Sequence, residues 1–313
     1  MTVSMDWLNI GWDKNFNKVP TPPYQMYADL TNMGPPVSNP ESILVDTVNQ
    51  ITKSYPGPYY LFASGGADSQ CMLWAWKQAK VPFSVISIKY TNGDSNDVMN
   101  LHDLETLESF TNEHNIPITY VKFDIINFLE NDLEKYAYKY FCTSPQISTY
   151  MAMSECVNNG TVIFSGNFGY EIATNTCSVF GLYRYAMESN RSIVPFFLLH
   201  DKNIAGCIDD VRIETDIEVP DNCYGNNDMT AKYISNRRKV QKLEAHGFPL
   251  HPQETKTTGF ERVKDYYQSK QHLVNHKDYI EFANEPSNRV FDILFRYRLS
   301  RKVKYKERIV WVK

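Results

Sequence analysis

No two cysteines in this 313-residue chain are spaced as CxxC; the six (Cys71, Cys142, Cys156, Cys177, Cys207, Cys223) are scattered. That spacing excludes a zinc ribbon, a thioredoxin-type motif and a disulfide scaffold, and most of the six read as small buried hydrophobes. No apolar run approaches the roughly 18 residues that span a bilayer. The opening MTVSMDWLNIGWDKN lacks the basic n-region and continuous apolar h-region of a signal peptide, so the expectation is a cytoplasmic protein with no membrane partner. Neither GxxxxGKS/T nor GxGxxG occurs, which removes the Walker A and dinucleotide-fold fingerprints. A net charge of −4 and 42% hydrophobic residues describe an ordinary globular chain. The length suits one large α/β domain, or a core domain with an appendage.

The chain is organised around Tyr59 to Ser69, YYLFASGGADS. Tyr59 to Ala63 form a short buried-strand pattern, and Gln70 to Lys80 read as a helix. Between them lies Ser64-Gly65-Gly66-Ala67-Asp68-Ser69. A strand, a glycine turn and a helix start bring free backbone N–H groups and a positive dipole end to one point, which binds phosphate. The glycines permit a sharp turn and close approach of an anion. Ser64 and Ser69 add hydroxyl donors, and Asp68 can hold a magnesium ion or cap the loop. Without a ligand, the same residues make a tight turn with a helix cap.

Residues 1–38, rich in Pro, Asn and aromatics, read as an irregular arm anchored by Trp7, Trp12 and Tyr24. Asn39-Pro40 starts a helix with Ile43, Val45, Val48 and Ile51 on its apolar face. After the glycine turn, Met72, Leu73, Trp76 and Ala79 mark a core stripe. Strands follow at Phe83–Ile88, Pro117–Val121 and Thr161–Phe164, separated by helices over Val98–Asn115, over Ile125–Tyr140 and on through Tyr150 and Met153. The pattern predicts a parallel sheet with helices on both faces. Ligands of such sheets sit at the carboxyl ends of the strands, which makes Ile88 and Lys89 candidate base contacts. A plain surface loop after them is the alternative.

SGGADS resembles the SGGxDS signature of the PP-loop ATP pyrophosphatases. The resemblance implies a Rossmann-like, HUP-type α/β fold and cleavage of ATP between the α and β phosphates, with ATP and Mg2+ as cofactors. It implies that Ala63, Ser64, Gly65, Gly66, Asp68 and Ser69 line the nucleotide, that Asp68 is the metal ligand and a catalytic residue, and that adenine lies at Ile88. The run PQISTYMAMSECVNNGTVIFSGNFGYE is similar to the asparagine synthetase and β-lactam synthetase branch, whose equivalent strand ends in SGEGADE. Ser165, Gly166 and Glu171 match, with Ser165 and Gly166 then placed against the nucleotide and Glu171 catalytic. Asn167 and Tyr170 replace two of the three acids. Only about sixty residues precede the loop, and Thr2 rather than Cys follows Met1, so no glutaminase domain is expected there. PP-loop synthetases also need a late cation on the leaving pyrophosphate; Lys256 and Arg262 are the residues expected to supply it, a capped surface helix being the alternative.

The expected organisation is therefore an arm (1–38), a nucleotide-binding core (39–175) and a mixed C-terminal extension (176–313). Within the extension, Asn222 to Asp228 read as an exposed loop and Lys232 to Glu244 as a basic helix. From Arg289 onward nine Lys/Arg face only Asp292 and Glu307, which suits a nucleic-acid contact or a basic element seated on an acidic body. The leading functional expectation is an adenylating ligase that joins an amine or ammonia to an activated carboxyl or carbonyl. A nucleobase-modifying enzyme acting on tRNA or DNA is the alternative, and a nucleotide-binding protein without catalysis is the third. The acceptor substrate and the oligomeric state stay open.

Overall fold

In a computed structural model, the chain is described at residues 9–11, 15, 17, 26–29, 39–93, 97–140, 142, 145–165, 181–182, 184–186, 188–197, 227–251, 259, 262–263, 265–266, 301–305 and 308–312. Its centre is a five-stranded parallel sheet in the order β5-β4-β3-β6-β7, built from β3 (Tyr59–Phe62), β4 (Ser84–Thr91), β5 (Ile118–Asp124), β6 (Thr161–Phe164) and β7 (Ser192–Pro195). This is the α/β Rossmann-like architecture that the alternation of strand and helix patterns predicts.

Helix α1 (Pro40–Ser54) starts where Asn39 Oδ1 accepts from Ser42 N–H at 3.1 Å, with Pro40 in the first turn. It buries Leu44, Val48 and Ile51. Beside it lie α2 (Ala67–Ala79), with Met72, Leu73 and Trp76 fully buried, and α3 (Leu101–Glu113), with Leu107 and Phe110 buried. These side chains share one core with Leu61, Val85, Ile163 and Val194. The adjacent strand positions Phe62, Ile86, Val162, Phe164 and Ile193 point the other way. There they meet the helical run α4 (Ile125–Asn127), a single wide π-type turn (Phe128–Asp132) and α5 (Leu133–Tyr140), followed by α6 (Pro145–Ser154). The period of two along each strand thus separates two cores, one on each face.

Most boundaries shift from the sequence reading. β4 runs three residues past Ile88, because β5 pairs with it as far as Thr91. The helix expected from Val98 starts at Leu101. In the arm, β1 (Asn9–Gly11) and β2 (Met26–Asp29) are short strands; Trp7, Trp12 and Tyr24 lie outside the described residues. With β8 (Arg301–Tyr305) and β9 (Arg308–Val312) they form a second sheet, ordered β1-β2-β8-β9. The chain ends are therefore joined by a parallel β2–β8 pairing. The basic helix of the sequence reading extends over Asn227–Ala245 and is called α7. No helix among the described residues is long and apolar enough to cross a membrane.

Candidate nucleotide site

At the end of β3, Ala63 N–H donates to Ile86 O (3.1 Å) and Ala63 O accepts from the Ser87 hydroxyl (3.0 Å). Both backbone groups of Ala63 are therefore committed to the sheet. The chain then turns into α2 through residues that serve different ends. Gly65 has φ +85°, and a Cβ there would lie 2.1 Å from Asp103 O; the turn and the first turn of α3 both require glycine. At Gly66 a Cβ would meet nothing nearer than Ser64 Oγ at 3.9 Å. Among the described residues, no atom dictates glycine at 66. The position leaves a cradle open in front of the α2 N-terminus, whose capping residue bonds no N–H with a side chain.

Three hydroxyls line this cradle. Ser69 Oγ accepts from Ser64 N–H at 3.2 Å and lies 3.3 Å from Ser64 Oγ and 3.4 Å from Ser165 Oγ. Ser165 follows β6, so two strand ends meet at the loop, at the point where strand order reverses. Asp68, in the first turn of α2, pairs at 2.5 Å with Lys239 Nζ of α7. Their side chains are only 18% and 24% exposed, so solvent screens the pair weakly. Burial, and secondarily the Asp68 charge, pushes the Cys71 thiol well up, so Cys71 is an inert core residue rather than a nucleophile.

The loop is held from behind by Gln70, which is 1% exposed. Its Nε2 donates to Gly65 O (2.7 Å) and to His251 O (2.8 Å), and its Oε1 accepts from His251 N–H (2.7 Å). The His251 ring meets Glu113 at 2.8 Å. A segment 181 residues downstream is thereby sewn to the glycine loop. Beside the site, Tyr150 stacks on Phe164 with centroids 5.1 Å apart. Burial, with smaller contributions from Asp103 and Asp68, raises its phenol to about 12, so it is protonated at neutral pH.

The structure brings together Ala63, Ser64, Gly65, Gly66, Asp68, Ser69 and Ser165. The buried Ile88 lies on β4, and its carbonyl accepts from Asn100 Nδ2 at 2.7 Å. Arg262 is exposed and makes no ion pair with the loop among the described residues. Gly166, Glu171 and Lys256 lie outside the described residues, as do Asn167, Tyr170 and the Asn222–Asn226 part of the exposed loop. Sequence reasoning missed Lys239, Gln70, Asn100 and His251. The helical phase of Val240 and Leu243, both buried, carried the one usable signal: it seats that side of α7 on the core and puts Lys239 at its margin.

Asp68 is a single carboxylate, and no group of three His, Cys, Asp or Glu that could hold a metal occurs among the described residues. One carboxylate beside an open cradle fits a magnesium ion that arrives on a polyphosphate, since Mg2+ is commonly held by one or two carboxylates plus phosphate oxygens.

No protein-family model and no curated protein matches the sequence. Among solved structures, the U34-tRNA thiolase NcsA from Methanococcus maripaludis with its 4Fe–4S cluster is 10% identical, with a TM-score of 0.33, over 82% of this chain and 80% of its own. The NH3-dependent NAD synthetase from Campylobacter jejuni, in complex with the nitrate ion, is 14% identical at 0.33, over 81% and 94%. The NMN synthetase from Francisella tularensis is 13% identical at 0.34, over 81% and 94%. Likenesses this distant carry no argument about what the present chain binds or does.

Proposed function

We propose that the chain is an ATP-dependent adenylating enzyme of the PP-loop type, which cleaves ATP to AMP and pyrophosphate. The observation that supports this reading best is the convergence of a free helix N-terminus, three hydroxyls and Lys239 around the space left by Gly66. That set suits a polyphosphate of two or three groups better than a single small anion. A carboxylate or carbonyl oxygen of the substrate attacks the α-phosphorus as the bond to the bridging oxygen of the β-phosphate breaks. An amine or ammonia then attacks the activated carbon, and AMP leaves. The protein's work in the first step is positioning and charge stabilisation. Ser64, Ser69 and the N–H groups of the α2 start hold the departing pyrophosphate, and Lys239 faces the charge that grows on it. Lys239 thus joins Lys256 and Arg262, the residues the sequence suggested for that role, as a cation for the leaving pyrophosphate. Asp68 would hold Mg2+, which supplies charge neutralisation between the phosphates when bound. Ser165 closes the β6 side, and Ile88 marks the strand edge that receives the base. Gly166 and Glu171, just after Ser165, extend the same side in this reading.

Within that class an asparagine-synthetase-like ligase is the preferred reaction. Nucleobase modification on tRNA or DNA is the second reading, favoured by the sequence of β8, in which Arg301, Lys302 and Lys304 make three of five residues basic. Pyrophosphate release from ATP and Mg2+ tests both readings, with carboxylates plus amines and then RNA or DNA as acceptors. Release that requires Asp68 and one acceptor pool supports adenylation and names the substrate class. Release of orthophosphate overturns the PP-loop reading. ATP binding without release from any pool leaves a nucleotide-binding protein without catalysis.

A further inference from the structure

Beyond Phe62, β4 loses its partner on one side. Tyr60, Leu61 and Phe62 pair with Ser84, Val85 and Ile86, and Ala63 N–H closes the ladder on Ile86 O before the chain turns away into the loop. Ile88 and Tyr90 face the same side as Ile86, because strand positions alternate. Their backbone groups would be bare at the carboxyl end of the sheet, where ligands of such sheets bind. They are not bare. The Asn100 carboxamide fills the position: Nδ2 donates to Ile88 O (2.7 Å), and Oδ1 accepts from Tyr90 N–H (2.9 Å). Met99 N–H completes the edge on Tyr90 O (2.9 Å). Asn100 is 7% exposed, and Gly259 packs so closely against it that a Cβ there would lie 2.8 Å from Asn100 Cβ and 2.5 Å from the Tyr90 ring.

A carboxamide presents one N–H donor and one acceptor side by side. The N6–H and N1 edge of adenine presents the same pair at closely similar spacing. We infer that Asn100 is an intramolecular stand-in for the base: it satisfies Ile88 O and Tyr90 N–H in the free chain and gives way to the N6–H/N1 edge of adenine when ATP binds. Asn100 is thus a specificity-determining residue that competes with the base. This inference rests on the nucleotide reading of the loop.

The test is calorimetric titration of ATP, inorganic tripolyphosphate and purine riboside 5′-triphosphate (which lacks the 6-amino group) into wild type and Asn100→Ala. Removing a competitor that makes two net hydrogen bonds should tighten ATP binding about tenfold. Tripolyphosphate affinity should not change, and the gain should shrink for the analogue without the amino group. A residue that merely shapes the loop would give the opposite sign, weaker ATP binding in the variant. Equal or weaker ATP binding by Asn100→Ala, with tripolyphosphate bound equally by both proteins, overturns the inference and leaves the phosphate site standing. No binding of ATP or tripolyphosphate by either protein removes both. If Asn100→Ala does not fold, Asn100→Asp keeps the shape and the acceptor for Tyr90 N–H but sets an oxygen against Ile88 O. It should shift ATP affinity in the same direction, and unchanged affinity in that variant overturns the inference equally.

Discussion

Replacing Lys239 by Met probes the site most directly, because it removes one charge and little volume. In the free chain it strands the Asp68 carboxylate, which is 18% exposed. An exposed ion pair contributes about 0–1 kcal/mol and breaking a fully buried one costs about 3–5, so a pair at this depth should cost about 1–2 kcal/mol when broken. Asp68→Asn alone removes the anion of the pair instead, and the double variant Asp68→Asn/Lys239→Met removes both charges. Urea denaturation of all four proteins should therefore give non-additive losses, with the double variant more stable than the sum of the singles predicts. Binding separates the functional role from the structural one. A charge-assisted hydrogen bond to phosphate contributes about 1.5–3 kcal/mol, so Lys239→Met should weaken tripolyphosphate and ATP by roughly 10- to 150-fold. The double variant should recover stability without recovering that affinity. Strictly additive stabilities, or ATP affinity unchanged in Lys239→Met, would refute the placement of Lys239 at the phosphates.

Two further predictions follow from single atoms. Gly65→Ala should cost several kcal/mol in chemical denaturation, because φ +85° and backbone contact with Asp103 O both oppose a side chain, whereas Gly66→Ala should leave stability within about 0.5 kcal/mol and weaken ATP binding at least tenfold by filling the cradle. His114, packed between Trp74 and Phe110 with its Nε2 buried and without a hydrogen bond among the described residues, has its pKa lowered by burial first and by Lys77 next. A lowered imidazole pKa favours the neutral ring in the fold, so its contribution is present above the unfolded value near 6.5 and is lost as pH falls through the lower folded value. Denaturation midpoints of wild type should accordingly drop on acidification below about pH 6, and His114→Phe should flatten that part of the profile.

What the sequence made legible was local. Val85 and Ile86, or Ile163 and Phe164, announce a two-faced buried strand because side-chain direction alternates with position. Gly65-Gly66 between Ser64 and Ser69 announce a tight turn into a helix, which Gly65 makes at φ +85°, and the hydroxyl donors beside it are the ground for proposing an anion there. Lys239 could not be picked from Lys232, Arg237, Arg238 and Lys242 in the same way. Its role depends on how α7 docks, and docking is set by Leu243 joining a core drawn from residues as distant in the chain as Leu44 and as near as Phe197. Gln70 was hidden for a different cause. A glutamine after SGGADS reads as an ordinary helix residue, and its partners, Gly65 O and the backbone of His251, belong to groups that every residue possesses. Asn100 was obscured by an expected helix start at Val98, which would have made it a helical residue instead of a side chain free to reach across to β4.

These three residues share a physical consequence that motif reading does not convey. Several polar groups around the cradle already have partners: Asp68 an ion pair with Lys239, Ile88 O and Tyr90 N–H the Asn100 carboxamide, and Gly65 O the Gln70 amide. An unsatisfied buried polar group costs as much as the bond it lacks, so a site that must exist without its ligand is driven to supply substitutes. Binding is then an exchange of partners, and its free energy is the difference between two well-bonded states. Asp68 is the residue that would hold a magnesium ion in such an exchange; the ion would supply charge neutralisation, and Lys239 would turn to a phosphate oxygen. Gln70 is the member that need not exchange, because its bonds lie behind the loop and tie it to His251. It keeps the N–H groups of the α2 start fixed while Lys239 and Asn100 change partners. That division between a fixed backing and exchangeable fronts lets a ligand be discriminated at the base and at the phosphates without the loop itself being rebuilt.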